Sequence, residues 1–227
     1  MIITIDGPSG TGKTTVARNV AKRLQFVYFD TGAMYRAFTW FVLEKGIDIK
    51  DSSAVQRGLE SFDFKIVENA KEKRYFVGSI DVTEAIRTAK VTQFVSPVSA
   101  LARVRTFLLN IQHRFAHSQN AVFEGRDLGT VVFPDAEVKI FLTADPKVRA
   151  ERRLSEILAK NPAEAKHADH AKMLEEMMRR DEYDSTREVA PLRCPSDAFQ
   201  IDTTYLSIDE VVDQVVKFHE EKFPEKR

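Results

Sequence analysis

The segment Gly7-Pro8-Ser9-Gly10-Thr11-Gly12-Lys13-Thr14 fits the pattern G-x-x-x-x-G-K-[ST], and no other stretch limits the fold as strongly. The apolar, β-branched run Ile2 to Ile5 precedes it. After it Val16, Ala17, Val20, Ala21 and Leu24 recur at three- and four-residue spacing, the signature of one apolar helix stripe. A strand, a glycine-rich turn and a helix in that order are the context a phosphate-binding loop needs. Its backbone N–H groups can converge on an anion, and the helix N-terminus adds partial positive charge. Lys13 can reach β- and γ-phosphates and the Thr14 hydroxyl can ligate Mg²⁺, with Thr15 completing the nucleotide-binding segment. By chance the pattern arises in roughly one chain in a hundred of this length.

The remaining chain alternates strands and helices. Strands are expected at Phe26 to Phe29, Ala121 to Glu124, Val138 to Leu142 and Phe199 to Asp202. Most are apolar throughout, which places them in a sheet covered on both faces. The expected fold class is α/β: a three-layer P-loop fold on a central, mostly parallel five-stranded sheet, with a small β insertion and a helical lid. Helices are expected at Met34 to Leu43 (ended by Gly46), about Thr88 to His117 with a break before Pro97, Pro146 to about Asn161, and about Ala171 to Asp181. A last helix opens with the capping box Ser207-Ile208-Asp209-Glu210. Residues 62–67 and 74–77 read as a hairpin around a polar turn at 68–73. Residues 163–170 read as a polar, mobile stretch and 182–190 as a charged loop. The chain is expected to be one domain over 1–227, with the insertion at about 62–88 and the lid at about 146–187.

Lys+Arg and Asp+Glu number 34 each, so the net charge is +0. Bulk charge therefore does not hold this chain to nucleic acid or anionic lipid. One cysteine, Cys194, excludes a disulfide framework and fits a reducing compartment. No basic segment precedes an apolar stretch at the N-terminus and no run of 18 apolar residues occurs, so a cytoplasmic protein without membrane contact is expected. His167 and His170 lie three apart without a third ligand pattern and are read as solvent-exposed. A monomer is expected, for want of a heptad seam.

A phosphate-binding loop leaves switch GTPases, motor ATPases and small-molecule kinases open. No D-x-x-G or N-K-x-D stretch fits a guanine switch. Arginines instead cluster on expected loops and helix ends: Arg36, Arg103 with Arg105, Arg126, the group Arg149, Arg152 and Arg153, then Arg179, Arg180 and Arg187. Phosphoryl transfer between two anions needs such guanidinium forks, because catalysis there is positioning plus electrostatic stabilisation.

With that loop stand Asp30-Thr31-Gly32-Ala33-Met34-Tyr35-Arg36, Gly125-Arg126-Asp127-Leu128-Gly129-Thr130-Val131-Val132-Phe133-Pro134-Asp135-Ala136, and Arg180-Asp181-Glu182-Tyr183-Asp184-Ser185-Thr186-Arg187. In this combination the chain resembles the bacterial cytidylate kinases nearly end to end. The resemblance implies transfer of the γ-phosphate of ATP to CMP or dCMP. It also implies that Thr31 stands near the pyrimidine where serine is usual, and that Arg105 and Asp127 read the base. Ser96, Arg180 and Asp184 would contact the sugar, Arg36, Arg126 and Arg187 would clamp the monophosphate, and Tyr35 would pack over the acceptor or serve as a buried aromatic. Lys13, Arg126, Arg153 and Arg187 are the cations expected around the transferred group. A carboxylate at Asp127 suits the cytosine amino group, whereas uracil would leave a polar group unpaired. Glu124 departs from the aspartate of a known member and is read either as a magnesium-water ligand or as a structural strand-end carboxylate. An ATPase without a small acceptor, or a kinase for UMP, AMP or a non-nucleotide, is the competing reading.

Overall fold

Five strands carry the first unit. β1 (Ile2–Asp6), β2 (Val27–Asp30), β6 (Ala121–Glu124), β7 (Val138–Thr143) and β8 (Phe199–Asp202) lie in the order β2-β6-β1-β7-β8, and the pairings of β1 with β6 and β7, and of β7 with β8, are parallel. The continuous apolar runs are explained by this burial: Ile3, Ile5, Val122, Val138 and Leu142 are wholly enclosed. One face is covered by α1 (Lys13–Leu24), through Val16, Ala17, Val20 and Ala21, and by α8 (Ile208–Lys222), through Val211, Val212, Val215 and Val216. The expected capping box is present, with Ser207 accepting from the Glu210 amide and Glu210 accepting from that of Ser207.

The computed structural model describes residues 1–68, 73–117, 119–160 and 169–224. The expected turn between Glu68 and Lys73, and residues 163–168 of the expected mobile stretch with His167, lie outside the described residues. Asp169 and His170 belong to a helix start: Asp169 caps α7 (His170–Thr186) by accepting from Ala171 and Lys172. His170 is half-buried, not exposed as expected. Among the described residues no helix is long and apolar enough to cross a membrane.

The chain divides into two compact units, Met1–Phe29 with Ala116–Arg227, and Asp30–Phe115. The second unit holds the small antiparallel sheet β3 (Phe64–Glu68), β4 (Lys73–Val77) and β5 (Ile80–Asp81), so the expected hairpin gains a third strand. Its inner face packs through aromatic rings: Phe62 lies edge-on to Phe38 at 5.1 Å, and Phe64 stacks on Tyr75 at 6.2 Å.

Three expected helices differ in their bounds and one helix is additional. α2 (Thr31–Lys45) begins at Thr31, because the Asp30 carboxylate accepts from Ala33 N at 2.9 Å and caps it. α3 (Ser52–Glu60) was not anticipated; Asp51 caps it and only Val55, Gly58 and Leu59 are buried, too short a stripe to stand out. α4 (Ala89–Ala100) runs through Pro97 on its buried stripe Val91, Val95 and Val98, and the break falls at the extended Leu101 before α5 (Ala102–Ala116). α7 continues to Thr186, so most of the expected charged loop is helix. α7 packs on α6 (Pro146–Lys160) within the first unit.

Candidate active site

The loop from Gly7 to Gly12 joins β1 to α1, and Gly12 caps the helix in the left-handed region at φ 88°. Gly10 is a second position where a side chain is excluded: its φ is +79°, and an added Cβ would meet Met177 Cε at 2.9 Å and Arg149 Cβ at 3.0 Å. Helices α6 and α7 thus touch the loop directly. Lys13 folds back across it, its Nζ donating to Pro8 O at 2.5 Å and to Thr11 Oγ1 at 3.5 Å. Burial, and then the Arg126 charge, pull this ammonium well below its ordinary value against the opposing carboxylates of Glu124, Asp181 and Asp6.

Thr14 follows Lys13 in the first turn of α1. Its hydroxyl donates to Glu124 Oε2 at 2.9 Å, and the Tyr28 hydroxyl donates to Glu124 Oε1. Glu124 is 5% exposed at the end of β6. An all-oxygen set of hydroxyl and carboxylate is the chemistry a hard divalent cation takes, so these residues fit Mg²⁺.

Behind the loop, Thr203 Oγ1 donates to Thr11 O at 3.2 Å, and Arg152 donates to Thr203 O at 2.5 Å and to Thr203 Oγ1 at 3.0 Å. Arg152 therefore braces the loop from outside. Arg149, 5% exposed, donates to Ser9 O at 3.0 Å and pairs with Asp181, whose other oxygen accepts from Ser9 N at 3.3 Å. Asp181 and Arg149 were missed in the sequence as a pair, since nothing in their spacing joins residues 32 apart.

The Gly125-Arg126-Asp127 turn meets α7 in an ionic network. Arg126 donates to Gly7 O at 3.1 Å and to Asp184 Oδ2 at 3.2 Å. Asp184, on the buried side of α7, also lies 3.8 Å from Arg187 and 4.0 Å from Arg180. Arg187 donates to Asp127 Oδ1 at 3.2 Å and to Ala190 O at 2.7 Å. Arg180 has a buried Nε without a hydrogen-bond partner, and burial, then Arg126, bring its guanidinium down to about 10. Arg153 pairs with Glu156 at 2.9 Å on a half-exposed face of α6, although its charge still reaches Arg180. Lys13, Thr14, Arg126, Asp127, Arg180, Asp184 and Arg187 therefore converge within one unit, and Arg153 stands at its margin.

The second unit holds the other expected residues. Thr31 and Tyr35 are buried one turn apart at the start of α2. The Arg105 guanidinium lies 5.4 Å from the Tyr35 ring centre and donates to Ser99 O at 3.0 Å, while Ser99 Oγ donates to Ser96 O at 3.0 Å. Arg36 donates to Ile86 O at 3.1 Å and to Thr92 Oγ1 at 2.9 Å. An unanticipated pair joins Arg87 to Asp30 at 2.6 Å. Burial pushes the Asp30 carboxyl up, but the Arg87 charge and hydrogen bond outweigh it and hold the group below the ordinary carboxylate value.

A family profile described as cytidylate kinase matches residues 3–221. A cytidylate kinase of Protochlamydia amoebophila is 51% identical over 218 residues, covering 96% of each chain. One of Carboxydothermus hydrogenoformans is 46% identical over 217 residues, again covering 96% of each. Among solved structures, an uncharacterized protein from Eubacterium ventriosum shares the fold at a TM-score of 0.51 and 13% identity, covering 97% of this chain and 98% of that one. With a phosphate-binding loop tied to a Gly-Arg-Asp turn and matching relatives across nearly its whole length, this chain belongs to the cytidylate kinase family.

Proposed function

We propose that this chain transfers the γ-phosphoryl group of ATP to CMP or dCMP, releasing ADP and CDP or dCDP. The observation that carries the reading is the network Arg126–Asp184–Arg187–Asp127, built against the Gly7 carbonyl of the phosphate-binding loop. It brings guanidinium groups beside the loop that holds the donor, which is where charge spreads as the phosphoryl group moves. No base is needed on the acceptor side, because a phosphate monoester with a second pKa of about 6 is already a nucleophilic anion at neutral pH.

In this reading the loop amides and Lys13 hold the donor phosphates. Arg126, Arg153 and Arg187 supply positive charge to the transferred group, and α6 with α7 acts as the lid that excludes competing water. Arg36, Arg126 and Arg187 clamp the acceptor phosphate. Asp127 accepts from the cytosine amino group and Arg105 donates to its ring acceptors. Ser96, Arg180 and Asp184 take the sugar, Thr31 offers its hydroxyl near the pyrimidine, and Tyr35 supports Arg105 from below. Mg²⁺, held through Thr14 and a water on Glu124, would neutralise donor phosphate charge. The insertion at about 62–88 belongs to acceptor recognition. Balanced charge argues against binding to nucleic acid or an anionic membrane, a single cysteine fits the reducing cytoplasm, and the absence of a heptad seam in the sequence supports a monomer.

The test is ADP release with ATP and Mg²⁺ in the presence of CMP, dCMP, UMP, AMP or no acceptor. Turnover confined to the cytosine nucleotides is the expected result. Acceptor-independent hydrolysis, or preference for another monophosphate, overturns the reading.

A further inference from the structure

Asp6 is the last residue of β1 and is 1% exposed, so it touches no substrate. A carboxylate closing a buried strand is costly to bury and needs partners to stay there. It has two. Asp6 Oδ1 accepts from Leu128 N at 3.0 Å and Asp6 Oδ2 accepts from Gly129 N at 2.8 Å. These two amides open the single π-turn Leu128–Val132, whose preceding residue is Asp127, held at φ −136°, ψ 23°. The same strand end is tied to the turn twice more, by Gly125 N to Ile5 O at 3.1 Å and by Arg126 Nη1 to Gly7 O at 3.1 Å. The turn is also closed by packing: a Cβ on Gly129 would meet Pro195 Cγ at 2.9 Å and Thr4 Oγ1 at 3.2 Å.

We infer that Asp6 is a positioning residue for acceptor choice: its two hydrogen bonds to Leu128 and Gly129 fix the turn that aims the Asp127 carboxylate and its partner Arg187. The physical step is short. Backbone amides at two successive positions determine the plane of the peptide between them, and with it the direction in which the preceding side chain leaves. Removing one acceptor leaves a buried N–H unpaired, and the turn relieves that cost by rotating. Asp127 then moves by a fraction of an ångström at the point where the base is read, a displacement that hydrogen-bond selectivity does not tolerate. The donor side, seated on the amides beyond Gly7, keeps its own geometry.

The inference rests on the reading of Asp127 as a base contact, and the experiment separates the two. Specificity constants for CMP and UMP, and KM for ATP, are measured for the wild-type chain, Asp127→Ala, Asp6→Asn and Gly129→Ala. Asp6→Asn keeps the shape but turns one acceptor into a donor facing an N–H. The expected result is a rise in KM for CMP, and a fall in the CMP-to-UMP ratio of kcat/KM by about tenfold, for Asp6→Asn. Gly129→Ala, which crowds the turn against Pro195 and Thr4, should show the same signature, with KM for ATP within about twofold in both. If Asp127→Ala leaves the ratio unchanged, the base reading of Asp127 fails. If Asp127→Ala relaxes the ratio but Asp6→Asn and Gly129→Ala lower all substrates equally, the inference about Asp6 fails alone. Loss of folded protein in both Asp6→Asn and Gly129→Ala also overturns it, since Asp6 is then a residue of folding and not of aim.

Discussion

Asp6 also sets a pH dependence of stability whose size follows from its surroundings. Burial raises its carboxyl to about 7 from an ordinary value of 3.8, outweighing the Gly129 and Leu128 amides and the Lys13 charge that favour the anion; Asp127 adds to the rise. That gap of about three pK units corresponds to a native-state penalty on the ionised form of roughly 4 kcal/mol. Below pH 3.8 the group is protonated in both states and contributes nothing. Between 3.8 and about 7 the unfolded chain has lost the proton that the native chain keeps, so the native state binds more protons and stability falls as pH rises. Above about 7 the penalty is complete and constant. Asp6→Asn does not titrate, so other groups cancel when the two chains are compared. Urea unfolding of both at about pH 4 and about pH 8 should therefore show the wild-type chain losing on the order of 4 kcal/mol relative to Asp6→Asn across that span. A difference that stays constant, or that runs the other way, refutes the reasoning: it means the two amide hydrogen bonds prevail over burial and Asp6 is a native anion throughout.

Lys13→Ala should reduce phosphoryl transfer at saturating CMP by about a hundredfold or more, read as ADP release, while thermal stability holds. Wild-type rates in that variant would remove Lys13 from the reaction. Glu124→Asp shortens the carboxylate by one methylene, so it cannot meet both Thr14 and Tyr28, and the Mg²⁺ concentration for half-maximal rate should rise about tenfold. An unchanged Mg²⁺ titration would leave Glu124 a purely structural strand-end group. Arg152→Ala removes donors to Thr203 and should cost about 1–3 kcal/mol in urea unfolding, with a raised KM for ATP. Arg153→Ala should instead leave stability unaltered and lower kcat, and an unaltered kcat would exclude Arg153 from the transfer step.

The parts of the fold that were legible are those built on apolar repetition. The strands Ile2–Asp6, Ala121–Glu124 and Val138–Thr143 are buried on both faces, and α1 and α8 each bury one stripe, so periodicity located them closely. The phosphate-binding loop was legible for a different reason, since its glycines and Lys13 are required at fixed offsets by a single ligand geometry. Boundaries set by side-chain caps were less visible. Asp30 starts α2 three residues before its apolar stripe gives a signal, and the helix therefore includes Thr31.

The site residues show where such reading stops. α7 was expected to end at Asp181, because Glu182 to Arg187 offers no apolar stripe. In the structure its buried residues are Met177 and Asp184, and Asp184 is buried against Arg126, Arg180 and Arg187 instead of against methylenes. A helix face stabilised by ion pairs carries the same i, i+4 spacing as an apolar face, here Arg180 to Asp184, but its partners lie in distant segments such as Arg126. Hydropathy reads such a face as solvent-exposed. The same limit hid Asp6, which looks like the first polar residue of a turn until the amides of Leu128 and Gly129 are placed against it. Charge is buried in this chain where it holds other charges, backbone groups or hydroxyls in position, so the segments that hydropathy assigns to solvent are those in which the chemistry is concentrated.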